Sequence, residues 1–216
     1  MEWISMLGMA ASVTSCLCQL VGIEICFRIV RKGNTSDVSP VPFIAFFVNS
    51  CVWLKYGLMT NNTSVMLPSC EAIVLQSLYI CIYYAYTAHK RILTGMILIG
   101  LISLFVPFIY VTYFEKEANR AVRNVGLYCC FVNVIVFASP LATLSEVVKE
   151  KSTNSISLPL CVFNFLCAVE WTMYGLAIND QFLTVPNALG VVLGFIQFSL
   201  FCFYGCQHKS SKPIVT

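Results

Sequence analysis

Charge is what this sequence has least of. Only 11% of its 216 residues are Asp, Glu, Lys or Arg, where a soluble domain carries about 25%. So few charges cannot clothe a water-facing surface, which excludes a soluble globular domain. The net charge of +3 is too small to point to a nucleic-acid partner. Histidine is nearly absent: His89 and His208 stand alone at span ends, and no His-Cys-Asp constellation supports an enzyme or a metal site. No glycine-rich loop is suited to cradling phosphate, so an ATP-driven pump is disfavoured. There is no Cys-x-x-Cys pair either. The twelve cysteines all lie in apolar runs, where a free thiol behaves as a small hydrophobe, so their number is no disulfide framework. No basic segment precedes the first apolar run, which reads as a first span and not as a cleaved signal peptide.

Apolar residues fill the space that charge leaves: 58% of the chain, with mean hydropathy +0.81. A helix needs about 20 mostly apolar residues to cross the hydrocarbon core. Residues 4–27, 41–59, 65–87, 92–114, 122–148, 158–177 and 182–206 meet that length, which predicts an all-α membrane protein of seven spans. The lipid bilayer is therefore its first partner, and only a short tail, 208–216, follows the bundle. An odd number of spans puts the termini on opposite sides. Arg28, Arg31, Lys32, Lys90, Arg91, Lys149, Lys151, Lys209 and Lys212 lie at one set of ends, and Lys116, Arg120 and Arg123 at the other. Basic residues concentrate in cytoplasmic loops. The amino terminus is then extracellular or lumenal and the carboxyl terminus cytoplasmic. Asn61 and Asn62 head two glycosylation sequons on the outer side, in a loop so short that they read as turn residues.

The pattern Trp-x-x-Tyr-Gly occurs twice, at 53–57 and 171–175, 118 positions apart (171 − 53). The same offset carries Thr35 onto Thr153, Ser39 onto Ser157, Asn61 onto Asn179, Pro68 onto Pro186 and Tyr86 onto Tyr204. One unit is written twice: a first three-helix repeat over 1–90 and a second over 118–207. The unmatched fourth span, 91–117, is an inversion linker. Because three is odd, it lets both copies insert the same way, giving 3+1+3 parallel repeats of three-helix bundles.

The residues also allow a site to be read. Related by the repeat axis, Trp53 and Trp171 offer two indole faces against which the C–H face of a pyranose stacks. A sugar's hydroxyls then need partners, since burying one unpaired costs roughly 1–3 kcal/mol. Asn187 supplies donors and an acceptor, and Ser69 is its repeat counterpart. Prolines remove a helix hydrogen bond and act as joints in membrane helices. Pro42 and Pro140 would so flex the inner mouth. Pro68 and Pro186 stand at the outer starts of their spans, where a proline is either a good first-turn residue or an outer hinge. Glu71, a carboxylate inside a span, reads as the partner of Lys55, with proton coupling as the alternative.

The chain resembles the SWEET family of sugar transporters over essentially its full length. The likeness is carried by Pro42 with Trp53-x-x-Tyr56-Gly57, by Ala138-Ser139-Pro140-Leu141, by Val148-Lys149-x-Lys151-Ser152-Thr153, by Trp171-x-x-Tyr174-Gly175-Leu176, and by Asp180 with Val185-Pro186-Asn187-x-x-Gly190. Trp at both repeat positions is typical of animal members. The resemblance implies facilitative, bidirectional movement of mono- or disaccharides, glucose-like hexoses foremost, by alternating access and without a cofactor. It implies an outer gate of Tyr56, Gly57, Tyr174, Gly175, Asp180 and Pro186, in which Tyr56 bonds to Asp180. It places the inner joints at Gly22, Pro42, Pro140 and Pro159, with Gln197 on the pathway nearby. Gly22 stands where plant members usually have proline, Pro159 is displaced from the usual proline position, aligned here with Ser157, and Ser69 replaces the usual asparagine. The plasma membrane is the expected location, with the Golgi as the alternative, and lipid-facing surfaces suit a homo-oligomer. A proton-coupled carrier of another small polar solute is the competing reading, and a seven-helix receptor is disfavoured by the repeat.

Overall fold

Each apolar run becomes a helix. The computed structural model describes residues 2–153 and 158–204, without the side chains at 138–140, 142 and 143. The helices are α1 (Glu2–Gln19), α2 (Val21–Lys32), α3 (Val41–Met59), α4 (Thr63–Tyr86), α5 (Lys90–Ile109), α6 (Ala118–Glu150), α7 (Leu158–Ala177) and α8 (Gln181–Tyr204). A π-helical turn, Tyr110–Phe114, extends α5. Among the described residues, with α1 and α2 counted as one, seven helical stretches are long and apolar enough to span a membrane. The 208–216 tail and Ser157 lie outside the described residues. Pro140 lies within α6, but its side chain is also outside the description.

The first span, expected over residues 4–27, forms as two helices, α1 and α2. It breaks at Leu20, where Leu20 N–H bonds to Leu17 O at 3.2 Å and Ile23 N–H to Leu20 O at 3.0 Å, both tight three-residue steps. The break frees the Gln19 carbonyl, and the Tyr79 hydroxyl donates to it at 3.0 Å. Gln76 Nε2 donates to Gln19 Oε1 at 2.9 Å. Gly22 makes room for this arrangement: a Cβ there would lie 2.2 Å from Tyr79 Cε2. The helix thus breaks here without a proline.

Helix ends follow from local chemistry. The chain leaves α2 through Gly33 at φ 73°, whose N–H caps Ile29 O, and Arg31 and Lys32 complement the helix dipole in the last turn. Pro42 sits in the first turn of α3, and Pro159 is the second residue of α7. A proline at a helix start removes no intrahelical bond, so at these two positions it marks where the helix begins. Pro68 and Pro186, by contrast, lie inside α4 and α8, because these helices begin earlier than the apolar pattern predicts.

The layout repeats. In the first half α4 packs against both α3 and α1; in the second, α8 packs against both α7 and α6. Across the halves α1 packs on α7 and α3 on α6, while α5 lies against α3. Lipid tails are as apolar as leucine, so close packing and interhelical hydrogen bonds hold such a bundle together. The central cluster draws on both halves, joining Ala11, Val52, Trp53 and Tyr56 to Val125, Cys129, Trp171 and Tyr174. The polar bonds that cross this interface define the site.

Candidate functional site

Among the described residues, four of the hydrogen bonds between the halves form two equivalent pairs. Near the α3–α4 and α7–α8 turns, the Tyr56 hydroxyl donates to Asp180 Oδ2 at 2.8 Å, and the Tyr174 hydroxyl donates to Asn62 Oδ1 at 3.0 Å. Tyr56 maps onto Tyr174, and Asn62 onto Asp180, by the 118 offset. Each tyrosine therefore bonds to the repeat counterpart of the other's acceptor.

Deeper in the bundle, Trp171 Nε1 donates to Ser15 Oγ at 2.7 Å, and Trp53 Nε1 approaches Asn133 Oδ1 at 3.4 Å. Ser15 and Asn133 are again equivalent positions. Ser15 Oγ also lies 3.3 Å from Cys167 Sγ. Both indoles are buried and stand edge-on to the tyrosine one turn later, with ring centroids 5.7 Å apart for Trp53–Tyr56 and 5.8 Å for Trp171–Tyr174.

The turns that present the acceptors are built alike. Asn61 and Asn179 take the left-handed conformation, at φ 52° and 57°, which asparagine tolerates better than most residues. Asn62 then caps α4, accepting from Val65 N–H at 3.4 Å. Asp180 does the same for α8, where Oδ1 accepts from Phe182 and Leu183 N–H at 2.9 and 3.2 Å. One oxygen of Asp180 thus anchors its own helix while the other crosses to Tyr56. Gly57 and Gly175 let the paired helices close around these turns. A Cβ would lie 2.9 Å from Met66 Cγ at the first and 2.6 Å from Thr184 Oγ1 at the second. A depression of about 500 Å³ opens at this end, lined by Tyr56, Thr60, Asn62, Ile178, Asn179, Asp180, Gln181 and Phe182.

Ser69 and Asn187 occupy equivalent places on α4 and α8, but each side chain is turned to its own helix. Ser69 Oγ donates to Val65 O at 2.7 Å, and Asn187 Nδ2 to Leu183 O at 2.8 Å. Asn187 keeps its carbonyl oxygen for another partner. Asn49, one turn before Trp53, has a buried Oδ1 with no bonded partner. Gln197 is half-buried on α8.

The expected Lys55–Glu71 pair does not form. Among the described residues the ion pairs are Lys32–Asp37, Arg120–Glu115 and Arg120–Glu117. Glu71 turns toward α1, against Cys16, and its Oε2 is buried without a bonded partner.

Sequence reasoning identified the aromatic half of these contacts and Asp180, and it read Asn62 correctly as a turn residue but without its bond to Tyr174; Ser15, Asn133 and Asn49 it left out. The signal was available for two of them, since residues 15 and 133 are polar at the same repeat position inside apolar helices.

The sequence model of a family described as "Sugar efflux transporter for intercellular exchange" matches twice, at residues 5–91 and 123–209. Sugar transporter SWEET1 of Drosophila pseudoobscura pseudoobscura is 36% identical over 96% of this chain and 92% of its own length. Sugar transporter SWEET1 of Xenopus tropicalis is 29% identical over 94% and 95%. Bidirectional sugar transporter SWEET7 of Arabidopsis thaliana is 31% identical over 87% and 74%. Among solved structures, a eukaryotic SWEET transporter superposes with a TM-score of 0.83 at 23% identity, covering 94% of this chain and 98% of that one.

Proposed function

Because this chain belongs to the SWEET family, a family of sugar transporters and not of enzymes, we propose that it is a facilitative, bidirectional uniporter. Its substrate is a neutral sugar of glucose-like hexose size, and it works by alternating access between its two three-helix halves. One observation carries this reading: the halves are joined by reciprocal single hydrogen bonds between equivalent residues, Tyr56–Asp180 with Tyr174–Asn62 and Trp171–Ser15 with Trp53–Asn133. Contacts of this kind separate and re-form at small energetic cost, about 0.5–3 kcal/mol each. A rocking motion between rigid halves requires such contacts.

In this reading the amino terminus is extracellular and the plasma membrane is the site of action. The tyrosine latches close the outer mouth. Trp53 and Trp171 stack on the sugar ring once its arrival displaces their partners, and Asn187 and Ser69 exchange backbone carbonyls for sugar hydroxyls. Gly22, Pro42, Pro140 and Pro159 lie toward the inner mouth with Gln197, and Gly57, Gly175 and Pro186 support the outer closure.

The test is counterflow in proteoliposomes. Unlabelled glucose inside should accelerate entry of labelled glucose, because a carrier returns faster loaded than empty. Entry indifferent to internal sugar would point to a pore and overturn the alternating-access reading.

A further inference from the structure

Pro68 and Pro186 are the sixth residues of α4 and α8. A proline has no N–H, so the carbonyl four residues earlier loses its helical donor. The carbonyls concerned are those of Ser64 and Phe182. In a membrane such a group needs a partner, because no water is at hand to replace it. Both receive one from the first helix of their own repeat. Ser12 Oγ donates to Ser64 O at 2.6 Å, sharing its single hydrogen with Gly8 O at 2.7 Å, and Cys130 Sγ donates to Phe182 O at 3.7 Å.

Donor, acceptor and proline all map between repeats by the 118 offset, so the device is written twice. The copies differ in the donor: a hydroxyl in the first, and in the second a thiol, which is a weak donor.

We propose that residues 12 and 130 set the stiffness of the two proline joints. Ser12 holds the α4 joint firmly, and Cys130 leaves the α8 joint loose. The start of α8 then swings when the outer mouth opens, taking Asp180 away from Tyr56. Residues 12 and 130 are positioning residues: they touch no substrate and act through a backbone carbonyl. The effect on transport rests on the alternating-access reading above.

The experiment pairs Cys130→Ser with Pro186→Ala. In the Pro186 background the hydroxyl should tighten the joint, as Ser12 does at the equivalent position. Glucose counterflow should slow roughly 2- to 10-fold, the range that one neutral hydrogen bond spans, with half-saturation unchanged. In the Pro186→Ala background residue 186 supplies its own N–H to Phe182 O, and Cys130→Ser should have no effect. A slowing of equal size in both backgrounds would show that residue 130 acts through packing and would overturn the proposal, as would no slowing in either.

Amide hydrogen exchange over residues 181–190 gives a readout free of sugar. Exchange should slow in Cys130→Ser and return to its reference value when Pro186→Ala is added. If the parent protein moved no sugar, the transporter reading would fail while the exchange comparison still decided the joint: dependence on residue 186 supports it and independence overturns it.

Discussion

Removing one hydroxyl from the outer latch tests the geometry most sharply. Tyr56→Phe keeps the ring against Trp53 and Phe182 but deletes the donor to Asp180. The bond is 2.8 Å long, and its acceptor, Asp180, is a carboxylate. Hydrogen bonds to charged groups contribute roughly 1.5–3 kcal/mol, and neutral ones about 0.5–1.5 kcal/mol. At about 1.4 kcal/mol per factor of ten, Tyr56→Phe should favour the outer-open state by about 10- to 100-fold. Tyr174→Phe removes the neutral bond to Asn62 and should favour it by only about 2- to 10-fold. Asn61 and Asn179 are exposed, lie one in each half, and flank the latches. Non-canonical spin-labelled residues at these two positions would report the opening as a longer interlabel distance by pulsed electron resonance. The long-distance population should rise in the order parent, Tyr174→Phe, Tyr56→Phe. An equal or larger rise for Tyr174→Phe, or none for either, would refute the reasoning that the charged acceptor makes the stronger latch.

Further outcomes follow from the same contacts. Trp171→Ala and Asn187→Ala should each abolish most glucose flux while the protein still reaches the membrane, and near-normal flux in both would remove the pocket assignment. Ser15→Ala removes the bond to the Trp171 indole N–H that the arriving sugar has to displace, and should lower the half-saturation concentration a few-fold, checked by initial-rate uptake. Gly22→Ala places a Cβ against the Tyr79 ring, which its hydroxyl bond to Gln19 holds in place. Overpacking of this kind costs about 1–3 kcal/mol and should appear as a lower unfolding temperature in detergent.

The architecture was legible because duplication and hydropathy are both properties of the linear chain. One offset found the repeats, the linker and the tyrosine–glycine pairs. What the sequence did not show are contacts that need the helices' rotations about their own axes. Asn62 looked like a turn residue because its cap role is local, whereas its bond to Tyr174 spans the two halves. Glu71 was paired with Lys55 by proximity along neighbouring spans, but α4 packs between α3 and α1 and presents this carboxyl to α1. The break at Leu20 carries no proline to announce it and depends on the Tyr79 ring filling the space above Gly22. Pro68 and Pro186 looked like first-turn residues because the apolar runs begin at residues 65 and 182, whereas α4 begins at Thr63 and α8 at Gln181, which makes each proline the sixth residue of its helix.

The central claim is that two halves joined by a few exchangeable bonds carry sugar passively. Initial uptake of labelled glucose into proteoliposomes, with pH and ion concentrations equal on both sides, tests it most directly. The account predicts saturable uptake that is competed by unlabelled hexose and unchanged by an imposed pH gradient. Uptake that appears only when a pH gradient is imposed would contradict it and would make the buried carboxyl of Glu71 a proton site.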